Sequence, residues 1–289
     1  MDHDSILPGP VVSGVWLRDH IDQVAVADVR WSVANGPNRD GFVSEHIPGA
    51  VFVDLDHDLS DRPGDRGRHP LPTAGAFEAV LNRLGIAGRP IVCYDDASGA
   101  TAARMWWMLR AIGRPAAVLD GGIEAWPGTW ESGPSKHHDT SLASDSGIKA
   151  NDLIDEWPAS GLITADEVTD AINSGLVLLD ARSRERFAGE PNPVDSPAGH
   201  IPGARSRPWT DNVGDDGRLL DADELRRQFD ELGVDSATGW AASCGSGVTA
   251  CHNLLAAAVA GLPTGRLYAG SWSEWSRDPE RPVATGASS

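Results

Sequence analysis

The chain has 289 residues and a net charge of −18, with 40% hydrophobic and 23% charged residues. That length suits two soluble domains of about 130 residues, each large enough to bury its own core. The strong negative charge argues against nucleic acid or an anionic membrane as partner, because both repel it. No apolar run reaches the length needed to span a bilayer. The start, Met1-Asp2-His3-Asp4-Ser5, lacks the basic residues and apolar core of a signal peptide. Three widely spaced cysteines, Cys93, Cys244 and Cys251, make no disulfide framework and point to a reducing cytoplasm.

Strand and helix signals alternate along the chain. Residues 24–28 read as a short buried strand, 76–84 as an amphipathic helix, 90–94 as a strand, 101–111 as a helix and 116–119 as a strand. Residues 131–160 are rich in Ser, Asp, Gly and His without a sustained period, and read as a linker between domains at 1–130 and 161–289. His137-His138 within it lacks the further ligands a metal site needs, so no metal is expected. Thr164 with Glu167 forms a capping box opening a helix to Asn173, which Gly175 stops. Residues 176–180 then read as a strand, 223–232 as a helix and 239–243 as a strand. Residues 248–260 read as a helix ended by Gly261 and Pro263. Short apolar strands between helices imply an α/β fold, each domain a parallel sheet covered by helices on both faces.

The run Ala241-Ala242-Ser243-Cys244-Gly245-Ser246-Gly247-Val248-Thr249-Ala250 carries the most chemistry. A strand delivers a thiol into a glycine-flanked loop closed by the start of a helix. Backbone N–H groups in such a loop can point inward and stabilise an anion. A cysteine held there should be a thiolate near neutral pH, and so a nucleophile at the end of a strand, where ligands of such folds bind. The loop has a silent twin. Aligning Gly99-Ala100-Thr101-Ala102 with Gly247-Val248-Thr249-Ala250 sets Asp96 against Cys244. Asp28-Val29-Arg30 matches Asp180-Ala181-Arg182. His46-Ile47-Pro48-Gly49-Ala50 matches His200-Ile201-Pro202-Gly203-Ala204, and Gly121-Gly122-Ile123 matches Gly270-Ser271-Trp272. Four ordered matches at nearly one offset mean that a single domain has been duplicated, with one copy lacking the thiol.

The doubled His-Ile-Pro-Gly-Ala segments, the Cys-Gly-Ser-Gly-Val-Thr-Ala loop and the closing Gly270-Ser271-Trp272-Ser273-Glu274-Trp275 resemble the two-domain rhodanese family of sulfurtransferases. The loop is similar to that of 3-mercaptopyruvate sulfurtransferases. Thiosulfate:cyanide enzymes of the animal type carry two cationic side chains where Gly245 and Ser246 stand here. The resemblance implies an N-terminal rhodanese-like domain at 1–130 without a catalytic cysteine and a catalytic domain at 161–289. It implies a ping-pong reaction in which Cys244 takes a sulfane sulfur from 3-mercaptopyruvate or thiosulfate. The persulfide then passes that sulfur to an acceptor thiol, such as thioredoxin, or to cyanide, with no cofactor. The alternatives are a thiosulfate-preferring enzyme and a non-catalytic sulfur-relay module.

An anionic donor needs a fixed cation, and arginine's planar fork suits it. Arg182 has a twin in Arg30 and reads as structural. Arg186 has none and occupies the family's substrate-arginine position, so donor binding is assigned to Arg186 with Gly245, Gly247, Val248 and Thr249. Mercaptopyruvate enzymes usually carry a second arginine after a Glu-Pro-x-Pro run, but here Glu190-Pro191-Asn192-Pro193 is followed by Val194. The resemblance also implies a proton relay of Ser246, His69 from His69-Pro70-Leu71-Pro72, and Asp56. His46 and His200 occur in both copies and read as braces of the shared fold. A cysteine phosphatase, the rival of related fold, requires arginine six residues after the cysteine, where this chain has Ala250.

Overall fold

The computed structural model describes residues 6–134, 156–234 and 239–287. The chain divides into two compact units: Met1–Ser60 with Pro72–Pro158, and Asp61–Leu71 with Ala159–Ser289. Most of the linker read at 131–160, including His137-His138, lies outside the described residues.

In the first unit the elements are β1 (Val11–Val12), α1 (Gly14–Asp19), β2 (Ala25–Asp28), β3 (Trp31–Ser32) and β4 (Gly36–Pro37). They continue through α2 (Arg39–Ser44), β5 (Val51–Phe52), α3 (Ala74–Arg83), β6 (Ile91–Tyr94), α4 (Ala102–Ala111) and β7 (Ala116–Leu119). Five strands form a parallel sheet in the order β1-β7-β6-β2-β5, while β3 and β4 pair as a small antiparallel hairpin. Helix starts are fixed locally: Ser13, Asn38 and Thr73 each accept an N–H from the first turn that follows.

The second unit contains α5 (Ala165–Asn173), β8 (Val177–Asp180), α6 (Arg184–Ala188), β9 (Arg205–Ser206) and α7 (Ala222–Glu231). After these come β10 (Trp240–Ser243), α8 (Ala250–Val259), β11 (Arg266–Leu267) and α9 (Ser271–Trp275). Its parallel sheet runs β11-β10-β8-β9, the order of β7-β6-β2-β5 repeated. The capping box read from Thr164 and Glu167 is present. Every residue of β2, β6, β7, β8 and β10 is buried, so both faces of each sheet are covered.

The duplication extends to buried polar braces. Arg30 grips Asp28 and donates to the Glu45 carbonyl, as Arg182 grips Asp180 and donates to the Gly199 carbonyl. The Nδ1 of His46 lies 2.8 Å from the Phe42 carbonyl, with the ring stacked on Phe42. His200 repeats this on Phe187 at 2.7 Å. These residues hold the shared fold, as their presence in both copies led us to expect.

Candidate active site

Strand β10 delivers Cys244 at its C-terminal end, only 2% exposed. The loop then folds back on the thiol: the Gly247 N–H lies 3.1 Å from Sγ and the Ser246 N–H 3.4 Å. Gly247 has φ +76°, and a Cβ there would sit 2.2 Å from the Ala269 carbonyl oxygen, so only glycine fits. The far side of the loop is tied down by the start of α9. Trp272 and Ser273 donate their N–H groups to the Cys244 and Gly245 carbonyls, and Ser271 Oγ accepts the Cys244 N–H at 3.0 Å. Ser271 itself has φ +52°, a left-handed conformation costly for a residue with a Cβ. Its counterpart in the first unit is Gly122, at φ +60°. The thiol-bearing copy accepts that strain because a glycine would have no hydroxyl for the Cys244 amide.

Around this loop the second unit gathers a histidine and a cationic cluster. His69 Nδ1 lies 2.8 Å from Ser246 Oγ. Arg186, on α6, is held by Asp195 through Nε at 2.8 Å and Nη2 at 2.7 Å. The same carboxylate accepts from Arg182 Nη1 at 3.2 Å and lies 3.9 Å from Arg68 Nη1. Asp195 is positioned by Asn192, whose Oδ1 accepts the Val194 and Asp195 N–H groups. Burial pushes the Asp195 pKa up, but Arg186, Arg182 and Arg68 outweigh it and hold the carboxyl below its ordinary value. A Cβ added to Gly245 would meet Arg68 Nη2 at 2.7 Å and Arg186 Nη2 at 2.9 Å. Two guanidinium groups thus converge on the loop, beside the cysteine.

The silent loop differs from the sequence alignment. Tyr94 ends β6 opposite Asp28, as Ser243 ends β10 opposite Asp180, so the residue following each strand is Asp95 and Cys244. Ile123 N–H donates to the Asp95 carbonyl, as Trp272 does to that of Cys244. Asp95, not Asp96, therefore occupies the cysteine's place. An ungapped alignment misses this because the silent loop is one residue longer between strand and helix. The Asp95 carboxylate accepts from the Ala97, Gly99, Thr101 and Ala102 N–H groups and from Thr101 Oγ1. The anion cradle of the first unit is filled by its own side chain. Asp96 is exposed and accepts from Asn38, beside a cavity of about 450 Å³ lined also by Trp31 and Arg39.

Comparison with known proteins agrees with this duplicated geometry. The rhodanese-like domain model matches residues 13–129 and again 164–278. The chain belongs to the rhodanese family. It is 45% identical over 256 residues to a Pseudomonas aeruginosa protein named "Probable 3-mercaptopyruvate sulfurtransferase", covering 85% of this chain and 86% of that one. It is 40% identical over 268 residues to a Mycobacterium tuberculosis protein, SseB, named for thiosulfate sulfurtransferase activity, with 92% of both chains covered. Among solved structures, 3-mercaptopyruvate sulfurtransferase from Leishmania major superposes with a TM-score of 0.78 at 33% identity, covering 94% of this chain and 75% of that one.

Of the site residues expected from this rhodanese sequence, Cys244, Gly245, Ser246, Gly247, Val248 and Thr249 form the loop, and His69 and Arg186 reach it. Asp56 belongs to the first unit, where it accepts the indole N–H of Trp31 at 3.0 Å. His69 comes from the N-terminal half of the sequence, yet the segment Asp61–Leu71 that carries it groups with the second unit. Three residues escaped sequence reasoning. Arg68 adjoins the expected His69, Asp195 follows the rigid Glu-Pro-Asn-Pro run, and Ser271 stands where the duplicate has glycine. The other two cysteines are fully buried; burial pushes the Cys93 thiol pKa far up, and Cys251 Sγ donates to the Gly247 carbonyl. Among the described residues no cluster of three His, Cys, Asp or Glu gathers to hold a metal, and no helix is long and apolar enough to cross a membrane.

Proposed function

We propose that the chain is a sulfurtransferase that carries sulfane sulfur on Cys244. The donor is 3-mercaptopyruvate or thiosulfate, and the acceptor is a thiol, such as that of thioredoxin, or cyanide. The observation that carries this reading is the cysteine facing the Ser246 and Gly247 N–H groups, which stabilise negative charge on a sulfur at that point.

In the first half-reaction the Cys244 thiolate attacks the donor's transferable sulfur and an S–S bond forms. With thiosulfate the old S–S bond breaks and sulfite leaves with the electron pair. With 3-mercaptopyruvate the C–S bond breaks and the pair passes to carbon as the enolate of pyruvate, which needs a proton. Ser246, hydrogen-bonded to His69, is the group suited to deliver it. Arg186 binds the carboxylate or sulfonate end. In the second half-reaction the acceptor attacks the outer sulfur and releases the Cys244 thiolate. No metal or organic group enters these steps. Three cysteines without a disulfide fit a reducing, cytoplasmic setting.

The competing non-catalytic reading requires a loop that has lost its thiol or its amides, as the Asp95 loop of the first unit has. The Cys244 loop keeps both. Steady-state rates with thiosulfate and 3-mercaptopyruvate, following sulfite and pyruvate release, test the proposal. Both donors turn over, with 3-mercaptopyruvate the better in kcat/KM; release of neither product defeats it, and a large preference for thiosulfate moves the chain to the thiosulfate class.

A further inference from the structure

Three guanidinium groups gather beside the Cys244 thiol. Arg68, Arg182 and Arg186 face two carboxylates, Asp180 and Asp195. Arg182 is buried against Asp180 and Asp195, whereas Arg68 and Arg186 keep 33% and 29% of their side-chain surface exposed. Both of these turn an Nη2 toward the same point above Gly245, one residue past the thiol. In a protein of net charge −18, such a pair concentrates positive charge where an anion is to be received.

Arg68 is built into that position rather than lying there loosely. Its N–H donates to Ser273 Oγ at 3.0 Å and its Nη1 to the Val194 carbonyl at 3.2 Å. Gly67 before it packs so closely that a Cβ would sit 2.9 Å from the Gly270 carbonyl oxygen, and His69 after it is bonded to Ser246. Burial lowers the Arg68 pKa from its ordinary value, and Arg186 and Arg182 act in the same sense, against the pull of Asp195 and Cys244. The guanidinium stays charged at neutral pH, and it lies 3.9 Å from Asp195, a carboxylate already held by Arg186 and Arg182.

We infer that Arg68 is the second donor-binding cation of the Cys244 site, filling from the 61–71 segment the role left open at Val194, and that with Arg186 it selects sulfur donors bearing a carboxylate or sulfonate. The naming of that anion as a sulfur donor rests on the proposed function; the cation pair itself does not. Gly245 is required between the two guanidinium groups because any side chain there would close the gap. Thiosulfate and 3-mercaptopyruvate share the needed feature, an anionic group one or a few bonds from the sulfur.

Alkylation of Cys244 reads this field without sulfur transfer. Iodoacetate carries the carboxylate and iodoacetamide is its uncharged counterpart, and mass mapping assigns the label to Cys244. Arg68→Met lowers the iodoacetate rate about tenfold, the scale of one charge-assisted contact, and leaves iodoacetamide nearly unchanged. Arg68→Lys keeps the charge and retains most of the iodoacetate preference. In Arg68→Met/Val194→Arg the preference returns. With the two donors, Arg68→Met raises KM more than it lowers kcat, and the double variant reverses the change. Equal slowing of both reagents, or a rate ratio insensitive to Arg68, overturns the inference. A lowered ratio in a protein that transfers sulfur from neither donor leaves the cation assignment standing and defeats the sulfurtransferase reading alone.

Discussion

His69 Nδ1 lies 2.8 Å from the hydroxyl of Ser246, although 177 residues separate the two in sequence. Ser246 in turn offers its N–H to Cys244 Sγ, so one residue links the nucleophile to a titratable side chain. That link matters for a donor whose leaving group is carbon, and much less for sulfite, which leaves as a stable anion.

Ser246→Ala and His69→Ala therefore lower kcat for 3-mercaptopyruvate by about a hundredfold, the scale of lost general-acid assistance, and leave thiosulfate turnover far less affected. Parallel kinetics of both variants with both donors check this. Equal losses with the two donors would reduce the pair to a structural contact.

Asp195 aims Arg186 by a two-point contact and is itself buried among three arginines. Asp195→Asn weakens binding of both donors and destabilises the second unit by about 3 kcal/mol, the usual result of removing one partner from a buried ion pair. Because the native carboxyl titrates below its ordinary value, the unfolded chain takes up the proton first as pH falls. The stabilisation is complete above the unfolded pKa, near 3.9, and is lost as pH drops through the lower native value. Urea midpoints measured between pH 5 and pH 3 should fall less steeply in Asp195→Asn than in the wild type.

His200 is fully buried, and burial lowers its pKa from the ordinary 6.5. Below that pH the unfolded chain binds a proton that the native state resists, so stability is full above 6.5 and declines as pH falls toward the native pKa. His200→Gln removes this slope. Denaturant midpoints at pH 7.5 and pH 5.5 should differ less in the variant than in the wild type.

The filled cradle of the first unit predicts that no second active site can be made by one substitution at Asp96. In Cys244→Ser/Asp96→Cys the Asp95 carboxylate still occupies the loop amides and repels an anionic donor. Donor treatment should add no sulfur to that protein. Asp95→Ala leaves four backbone N–H groups without their acceptor, while Thr101 Oγ1 keeps the Val29 carbonyl, and should cost about 3 kcal/mol or more of stability, read by thermal unfolding.

The longer strands were legible because each is buried on both faces and is built on an apolar run, as Ile91–Tyr94 is and as residues 177–179 of β8 are. Two-residue strands such as β9 and five-residue helices such as α6 and α9 were not, since neither is long enough to express a period. Within the site, the Cys244 loop could be read because its glycines fix local geometry. Arg68 and Asp195 could not, because their roles arise only where residues 68, 182, 186 and 195 meet in space. The same limit explains Asp96: one extra residue in the loop displaces an alignment that hydrogen bonding later corrects.

Intact-mass analysis after donor treatment bears most directly on the claim that sulfur is carried on Cys244. The wild type should gain one sulfur with either donor, mapped to Cys244 and discharged by cyanide or a thiol acceptor. Cys244→Ser should gain none and show no turnover while keeping its fold, because a hydroxyl lacks the nucleophilicity of a thiolate. Sulfur carried instead on Cys93 or Cys251, or sustained turnover in Cys244→Ser, would contradict the account.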